Sequence, residues 1–504
     1  MPERALALLT AAVLISSCGG SQARAMPGDP APSRGDELFT RNCAACHGAD
    51  GTGTGPLAHF LLPRPRNFVT ARFRITSTRQ NKPTDEDLLR TVRRGFPGTA
   101  MPSFGHLPEA DLKALVAKVK SFAATPIDAS LDPANPDTTG PIPIPPEPAD
   151  TPEGRAKGQA LYAEGCAPCH GATGRGDGQQ AQFDEFEMPT WPRNFAMGEW
   201  KGGSDGKEIY RRIVGGLAGS PMPASAFVGD DAWHIVHWVR GQSDLDEKGR
   251  NEQRRLTIRA AAGGAPLEGD DPAWEKAGEQ WVAVMPIWMR RTPRIQGMRV
   301  AALHDGTRLS VRLRWEDATK DESTFGQQEF RDAVAVQFAA GQDPPFFGMG
   351  SRGAPVSIQM WKADRQADAG GGNDLEARFP RVGADGYRAD GTAGGAVVPG
   401  LPLAKHDPLY LTGKAAGNPV SDLSGGCPAE DLVAEGAGTL GFVKAAAVES
   451  RGVWKNGTWT VVIRRPLPAG KGSIAFALWN GSDHDRNGIK SMTIWHDLVV
   501  EGGK

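Results

Sequence analysis

Cys43-Ala44-Ala45-Cys46-His47 recurs 123 residues later as Cys166-Ala167-Pro168-Cys169-His170. Cys-x-x-Cys-His is the spacing that attaches a c-type haem: two thiols add to the vinyl groups, and the histidine that follows becomes an axial ligand. Six cysteines and ten histidines in 504 residues give about 0.001 such matches by chance. Two occur. A zinc knuckle or redox dithiol wants further Cys or His at ligand spacing, and none follows either motif.

The flanks of the two motifs also repeat. Gly48, Gly51, Gly53 and Gly55 follow His47; Gly171, Gly174, Gly176 and Gly178 follow His170. Both let backbone pass close to a flat group. Pro65-Arg66-Asn67-Phe68 has its counterpart in Pro192-Arg193-Asn194-Phe195. Each copy reads as a helix into the motif, a middle helix and a closing helix. The first copy has 36–42, then 85–95 with Leu88, Val92 and Phe96, then a helix opened by Pro108 with Leu112, Leu115, Val116 and Val119 on one face. The second has 154–165, 206–216, and 230–240 with Ala232, Ile235, Val236 and Val239. Between middle and closing helices, a Gly-rich loop presents one methionine before a proline: Met101-Pro102 and Met222-Pro223, 54 and 52 residues after their histidines.

Both copies resemble class I cytochrome c domains. The resemblance implies an all-α fold with histidine and methionine as axial ligands, His47 with Met101 and His170 with Met222. A lone methionine usually fills a core, but two at equivalent places point to ligation. A thioether ligand raises the haem potential, and iron with no open position suits electron transfer rather than oxygen chemistry. His59, His106, His234 and His237 have no equivalent in the opposite copy and read as surface or satisfied histidines. Arg66 and Arg193 are candidates for pairing with haem propionates, a plain surface role being the alternative.

With 57 basic and 59 acidic residues the chain gives no sign of a nucleic-acid partner. Its length allows three domains. Arg4 precedes the apolar run 5–15, too short for a membrane span and suited to a secretory leader. Leu14-Ile15-Ser16-Ser17-Cys18-Gly19 resembles a bacterial lipoprotein box, with 1–18 as signal peptide and Cys18 as the lipidated residue. Cleavage after Ala23-Arg24-Ala25 is the alternative. Export agrees with c-type haem attachment, so the bacterial periplasm is expected, with Gly19 favouring an outer-membrane anchor. Cys427 reads as an ordinary loop thiol. The first helical module is assigned to 34–124 and the second to 153–243. Between them 125–152, ending in Pro141-Ile142-Pro143-Ile144-Pro145-Pro146-Glu147-Pro148, reads as a semi-rigid spacer.

From 256 to 504 the periodicity changes to two. Leu309, Val311, Leu313 and Trp315 alternate with polar residues; Val334, Val336, Phe338 and Ile474, Phe476, Leu478 repeat the pattern, and Trp459, Val461, Ile463 add another strand. Asp305-Gly306 supplies a hairpin turn. These features predict an all-β sandwich, with 363–438 as long loops. The fold class is therefore multidomain: two all-α cytochrome c domains plus a C-terminal β-sandwich.

This part also resembles the haem b subunit of ethylbenzene dehydrogenase and related type II molybdenum enzymes of the dimethyl-sulfoxide-reductase family. The resemblance lies in His304-Asp305-Gly306, Arg314-Trp315-Glu316-Asp317-Ala318-Thr319, Asp332-Ala333-Val334-Ala335-Val336-Gln337-Phe338, Phe347-Gly348-Met349-Gly350, Met360-Trp361-Lys362-Ala363, 434–440, and Leu478-Trp479-Asn480-Gly481 with 486–491. It implies a non-covalent haem b between Met349 and Lys490, with Met360, Lys362 and His484 as rivals. Lysine ligates only after losing its proton, which burial and a cationic metal favour. The expected function is a lipid-anchored, three-haem electron carrier. Its expected partner is a redox enzyme, a molybdenum/iron-sulfur oxidoreductase. No nucleophile–base or carboxylate pair suggests catalysis by this chain. The alternative is a dihaem cytochrome c carrying a carbohydrate- or ligand-binding sandwich without haem; a third option, a multihaem enzyme, needs iron with an exchangeable site.

Overall fold

The computed structural model describes residues 32–502 apart from 80–81, 128–139, 185–186, 199, 244–254, 289–294, 342–343, 346–347, 370–428, 444–446 and 470. Cys18 and Cys427 therefore lie outside the described residues.

The regular elements described between residues 34 and 243 are helices. Helix Arg34–Asn42 starts at a capping box formed by Ser33 and Asp36. It crosses the closing helix Glu109–Ser121 at Gly35, where a β-carbon would lie 2.6 Å from the Ala114 carbonyl oxygen. Leu38, Phe39, Leu112, Leu115, Val116 and Val119 meet there, as the expected apolar stripe requires. Helix Pro152–Gly165 crosses Asp230–Arg240 in the same way, with Gly158 against the His234 backbone. Its core gathers Tyr162, Ile209, Trp233, Ile235 and Val236.

The two helical modules touch. Arg90 of helix Asp85–Arg94 pairs with Asp87 (3.0 Å) and with Glu208 of helix Gly206–Gly215 (2.7 Å), both carboxylates being buried. Arg212 donates to the Thr76 carbonyl. Residues 140–148 were expected to act as a spacer, and instead they lie against both modules. The Ile142 amide donates to the Ser77 carbonyl (2.8 Å) and its side chain is buried; Pro145 accepts from Trp233 Nε1 (3.1 Å); Glu147 meets His237 (3.0 Å). Isoleucines alternating with prolines give this extended segment a face to bury, which composition alone conceals.

The C-terminal region is one continuous 14-stranded sheet. Its path runs Glu449–Lys455, Thr458–Pro466, Arg308–Glu316, Gly297–His304, Thr257–Ala262, His496–Val500, Gly472–Trp479, Ala333–Ala340, Val356–Lys362, Ala429–Ala434, Gly441–Phe442. The path folds back on itself, so that Trp361 meets Trp459 across the core with ring centroids 4.8 Å apart. The predicted alternating sets Leu309/Val311/Leu313/Trp315, Val334/Val336/Phe338 and Ile474/Phe476/Leu478 all point into that core. The stretch 363–438, read as loops, contains helix Ala363–Ala369 and strand Ala429–Ala434; short alternation among Gly and Ala was too weak a signal.

Several motif residues have structural work here. The buried Asp332 carboxyl accepts from Trp459 Nε1 (2.9 Å), the Gly481 amide (3.0 Å) and the Asp321 amide (2.8 Å). Burial, assisted by nearby Asp317, pushes it up to about 7.

Candidate haem sites

Each Cys-x-x-Cys-His run forms a single helical turn, Ala44–His47 and Ala167–His170, hung on the end of the preceding helix. The Cys43 amide donates to the Phe39 carbonyl and the Cys166 amide to the Tyr162 carbonyl, both at 2.8 Å. A left-handed glycine ends each turn, Gly48 (φ 80°) and Gly171 (φ 80°).

The repeated Pro-Arg-Asn-Phe landmark now has a role. His47 Nδ1 lies 2.9 Å from the Arg66 carbonyl oxygen and His170 Nδ1 3.4 Å from that of Arg193. A carbonyl only accepts, so Nδ1 carries the proton and Nε2 keeps its lone pair for a metal. Phe68 stacks on His47 (4.4 Å between centroids, 18°) and Phe195 on His170 (4.9 Å, 18°). Phe68 and Phe195 amides donate to Gly51 and Gly174 carbonyls, each at 2.8 Å. The sequence signal was the repeat itself; the backbone role of its arginines was not visible in it. Burial pushes His47 down to about 4 and lowers His170, so both imidazoles are neutral near pH 7.

The methionine loops are equivalent in detail. The Phe96 amide donates to the Met101 carbonyl (3.1 Å), and the Leu217 amide to that of Met222 (3.0 Å). Thr99 and Ser220 hydroxyls brace the two loops against Phe96 and Leu217 carbonyls at 2.8 Å. Cys43, Cys46, His47 and Met101 line one apolar crevice, walled by Leu61, Phe68, Phe73, Leu88 and Val116. That donor set fits a c-type haem, with two thiols and a freed imidazole nitrogen on one side and a thioether loop on the other. His47 is the histidine that lines this crevice among the described residues; the rival His237 is held by Glu147, and His59 packs against Phe60 with the rings tilted by 41° (3.7 Å).

On the sheet, Ala333, Ala335 and Ala339 of one strand stand beside Ala475 and Ala477 of its neighbour, on the face opposite the main core. Small side chains leave a flat floor there. Met349 packs on this floor, and its backbone is left-handed (φ 88°), an uncommon state for a non-glycine residue. The Met349 amide donates to Gln337 Oε1 (3.1 Å), while the buried Gln337 Nε2 finds no partner among the described residues. The Lys490 ammonium lies 4.9 Å from the centroid of Trp479, a residue of the same cluster, and burial pushes it down to about 8. Met349 thus packs on this cluster, and the Lys490 amine lies beside Trp479 of the same cluster. A desolvated amine, a thioether and an orphan donor over an alanine surface fit haem b. The rival Lys362 is engaged by both Glu430 oxygens (2.8 Å), and His484 is exposed beside Phe330; Met360 shares the floor.

The sheet site and the first helical crevice share a wall. The Ile287 amide donates to the Lys490 carbonyl (2.9 Å), and the Leu62 amide donates to the Ile287 carbonyl (3.3 Å). Trp288 Nε1 donates to the Phe60 carbonyl (2.7 Å). Leu61 and Ala100, with Cys46 beside them, pack against Met285, Ile287 and Met492. Nothing in the sequence announced this junction.

Comparison with known proteins agrees with this division. Residues 272–491 match the ethylbenzene dehydrogenase family, 30–117 the cbb3-type cytochrome c oxidase subunit III family, and 155–243 the cytochrome c family. A Haloferax mediterranei protein named as a heme subunit of respiratory nitrate reductase is 26% identical, over 42% of this chain and 58% of its own length. Dimethylsulfide dehydrogenase subunit gamma of Rhodovulum sulfidophilum is 27% identical over 40% and 58%. Chlorate reductase subunit gamma of Ideonella dechloratans is 24% identical over 49% and 84%. The chain thus spans little more than half the length of the first two relatives. It is built of two cytochrome c domains followed by a domain of the ethylbenzene dehydrogenase type.

Proposed function

We propose that this chain is an electron-transfer subunit carrying two covalent haem c groups and one non-covalent haem b, and that it serves a redox enzyme. The observation that carries the reading is the pair of equivalent turns. In each, two cysteines and a carbonyl-held histidine share one turn, and the same module carries a hydrogen-bonded methionine loop; in the first module turn and loop line one crevice. His47 with Met101, His170 with Met222, and Met349 with Lys490 are the proposed axial pairs. Bound haem supplies a one-electron couple. The named residues would hold the haems, the apolar walls of the first crevice would exclude water, and burial makes the Lys490 amine easier to deprotonate for ligation. The wall shared by Lys490, Ile287 and Leu62 supports a short route between the sheet site and the first module.

The partner in this reading is a molybdenum/iron-sulfur oxidoreductase, supported by relatives that are gamma or heme subunits. Location in the periplasm, a sandwich-type haem b domain and a lipid anchor at Cys18 complete the proposal. Among the described residues no helix is long and apolar enough to cross a membrane. Carbon monoxide titration of the reduced protein at neutral pH tests it. The expected spectrum does not change; a carbon monoxide complex at stoichiometric yield contradicts sealed iron and favours an enzyme.

A further inference from the structure

The two helical modules do not merely abut; each arginine named next reaches into the other module's methionine loop. Arg74 of the first donates to the Gly219 carbonyl beside Met222 (3.2 Å), and Arg193 of the second donates to the Pro97 carbonyl before Met101 (3.5 Å). Asp184 of the second module stands 3.8 Å from Arg74. Two second-module residues, Lys201 and Leu217, complete the lining of the first crevice, alongside Arg66 and Arg74. Among the described residues no carboxylate pairs with Lys201. Burial and the neighbouring Arg193, Arg74 and Arg66 push its ammonium well below the usual lysine range. A lysine driven into a group of arginines at the rim of an apolar crevice marks a place where an anion belongs.

We propose that this seam is a carboxylate site, built by Arg66 and Arg74 from the first module and Arg193 and Lys201 from the second, which takes the propionates of the haem in the first crevice. The inference rests on the haem reading above and goes beyond it. The second module becomes part of the first haem's binding site, and the potential of one centre depends on a side chain of the other domain. A cation held beside a propionate favours the reduced, less positive haem. The charge-assisted contact also ties the modules together once the haem is in place.

The test uses the full chain carrying both c haems, titrated by spectroelectrochemistry, as wild type, Lys201→Gln and Lys201→Arg. Met222→His, added in each background, displaces the second haem's potential and so identifies the first. Lys201→Gln is expected to lower the first haem's potential while leaving the second in place, and Lys201→Arg to keep the wild-type value. Arg193→Gln gives a second removal from the same seam if Lys201→Gln does not accumulate. Unchanged potentials in the glutamine variants, or an equal shift of both haems, overturn the proposal. Repeating the titration with and without acetate separates the sources of carboxylate. Insensitivity supports haem propionates, whereas a first-haem potential that follows acetate assigns the cations to a solution anion and overturns the assignment. A denaturing gel stained for haem reads the underlying functional proposal separately, since loss of covalent haem there contradicts that proposal rather than this one.

Discussion

The helical crevices and the sheet-borne site solve the same problem by different means. In the helical modules a five-residue motif carries both proposed covalent anchors and one proposed ligand, and the second proposed ligand sits on a loop fixed by hydrogen bonds of 2.8–3.1 Å. On the sheet, the proposed ligands Met349 and Lys490 come from separate segments, one packed on the alanine floor and the other beside Trp479 of the same cluster, and offer no covalent bond. In the proposed reading the helical sites hold their group by covalent bonds, whereas the sheet site would depend on fit and on a proton-free amine. The first should survive damage to its walls, and the second should not.

The largest effect expected from this contrast is a pair of all-or-none losses in the helical modules. Cys46→Ala combined with Cys43→Ala should remove one covalent haem, halving the c-type absorbance, while Cys166→Ala with Cys169→Ala removes the other; haem-stained gels check both. On the sheet, Ala335→Leu should fill a buried floor position and lower haem b content at least tenfold, with c-type content unchanged. Acid-acetone extraction measures it, and retained haem b would contradict the floor. Lys490→Met should act in the same direction.

Next in size is the strap between the modules. Ile142→Ala should destabilise the paired helical domains by about 2–5 kcal/mol, read by denaturant unfolding followed at the haem bands, because the side chain is buried beside Gly215 of the second module while its amide bonds to Ser77 of the first. The reading as a semi-rigid spacer that buries nothing expects almost no change.

The smallest effect is on pH dependence. Burial lowers Lys490 from 10.5 in the unfolded chain to about 8 in the fold. Above 10.5 both states are neutral and the stabilisation is complete; as pH falls toward 8 the unfolded chain takes the proton first, and the stabilisation is lost through about pH 8. Haem b uptake by the haem-free sheet domain in the full chain should therefore strengthen between pH 7 and pH 9, by up to about tenfold per unit below the amine's pKa. Lys490→Met should flatten that slope. Equilibrium titration with haem at several pH values decides it.

What was legible in the sequence follows the same division. Cys43, Cys46 and His47 lie within five consecutive positions, so their chemistry is written locally, and the first closing helix announced itself through Leu112, Leu115, Val116 and Val119. The strands did the same through Trp315 and its alternating neighbours. Contacts between distant segments had no such signature. Met349 and Lys490 were reached through family resemblance, since nothing in their spacing marks two residues on one floor. The junction of Leu62, Ile287 and Lys490, the burial of Ile142 and the entry of Lys201 into the first crevice depend on docking between domains, which periodicity does not encode. The Pro-Arg-Asn-Phe repeat lies between these cases: its recurrence was plain, but the histidine hydrogen bond it makes comes from a backbone carbonyl, which side-chain identity does not reveal.

The central claim is that one chain holds three haems by two kinds of attachment. A pyridine haemochrome spectrum of the purified full chain, taken before and after acid-acetone extraction, tests it most directly. The account predicts two haems that stay with the protein and one b-type haem that leaves with the solvent. Two retained haems with nothing extracted would contradict the sheet site and favour a dihaem cytochrome with a ligand-binding β domain.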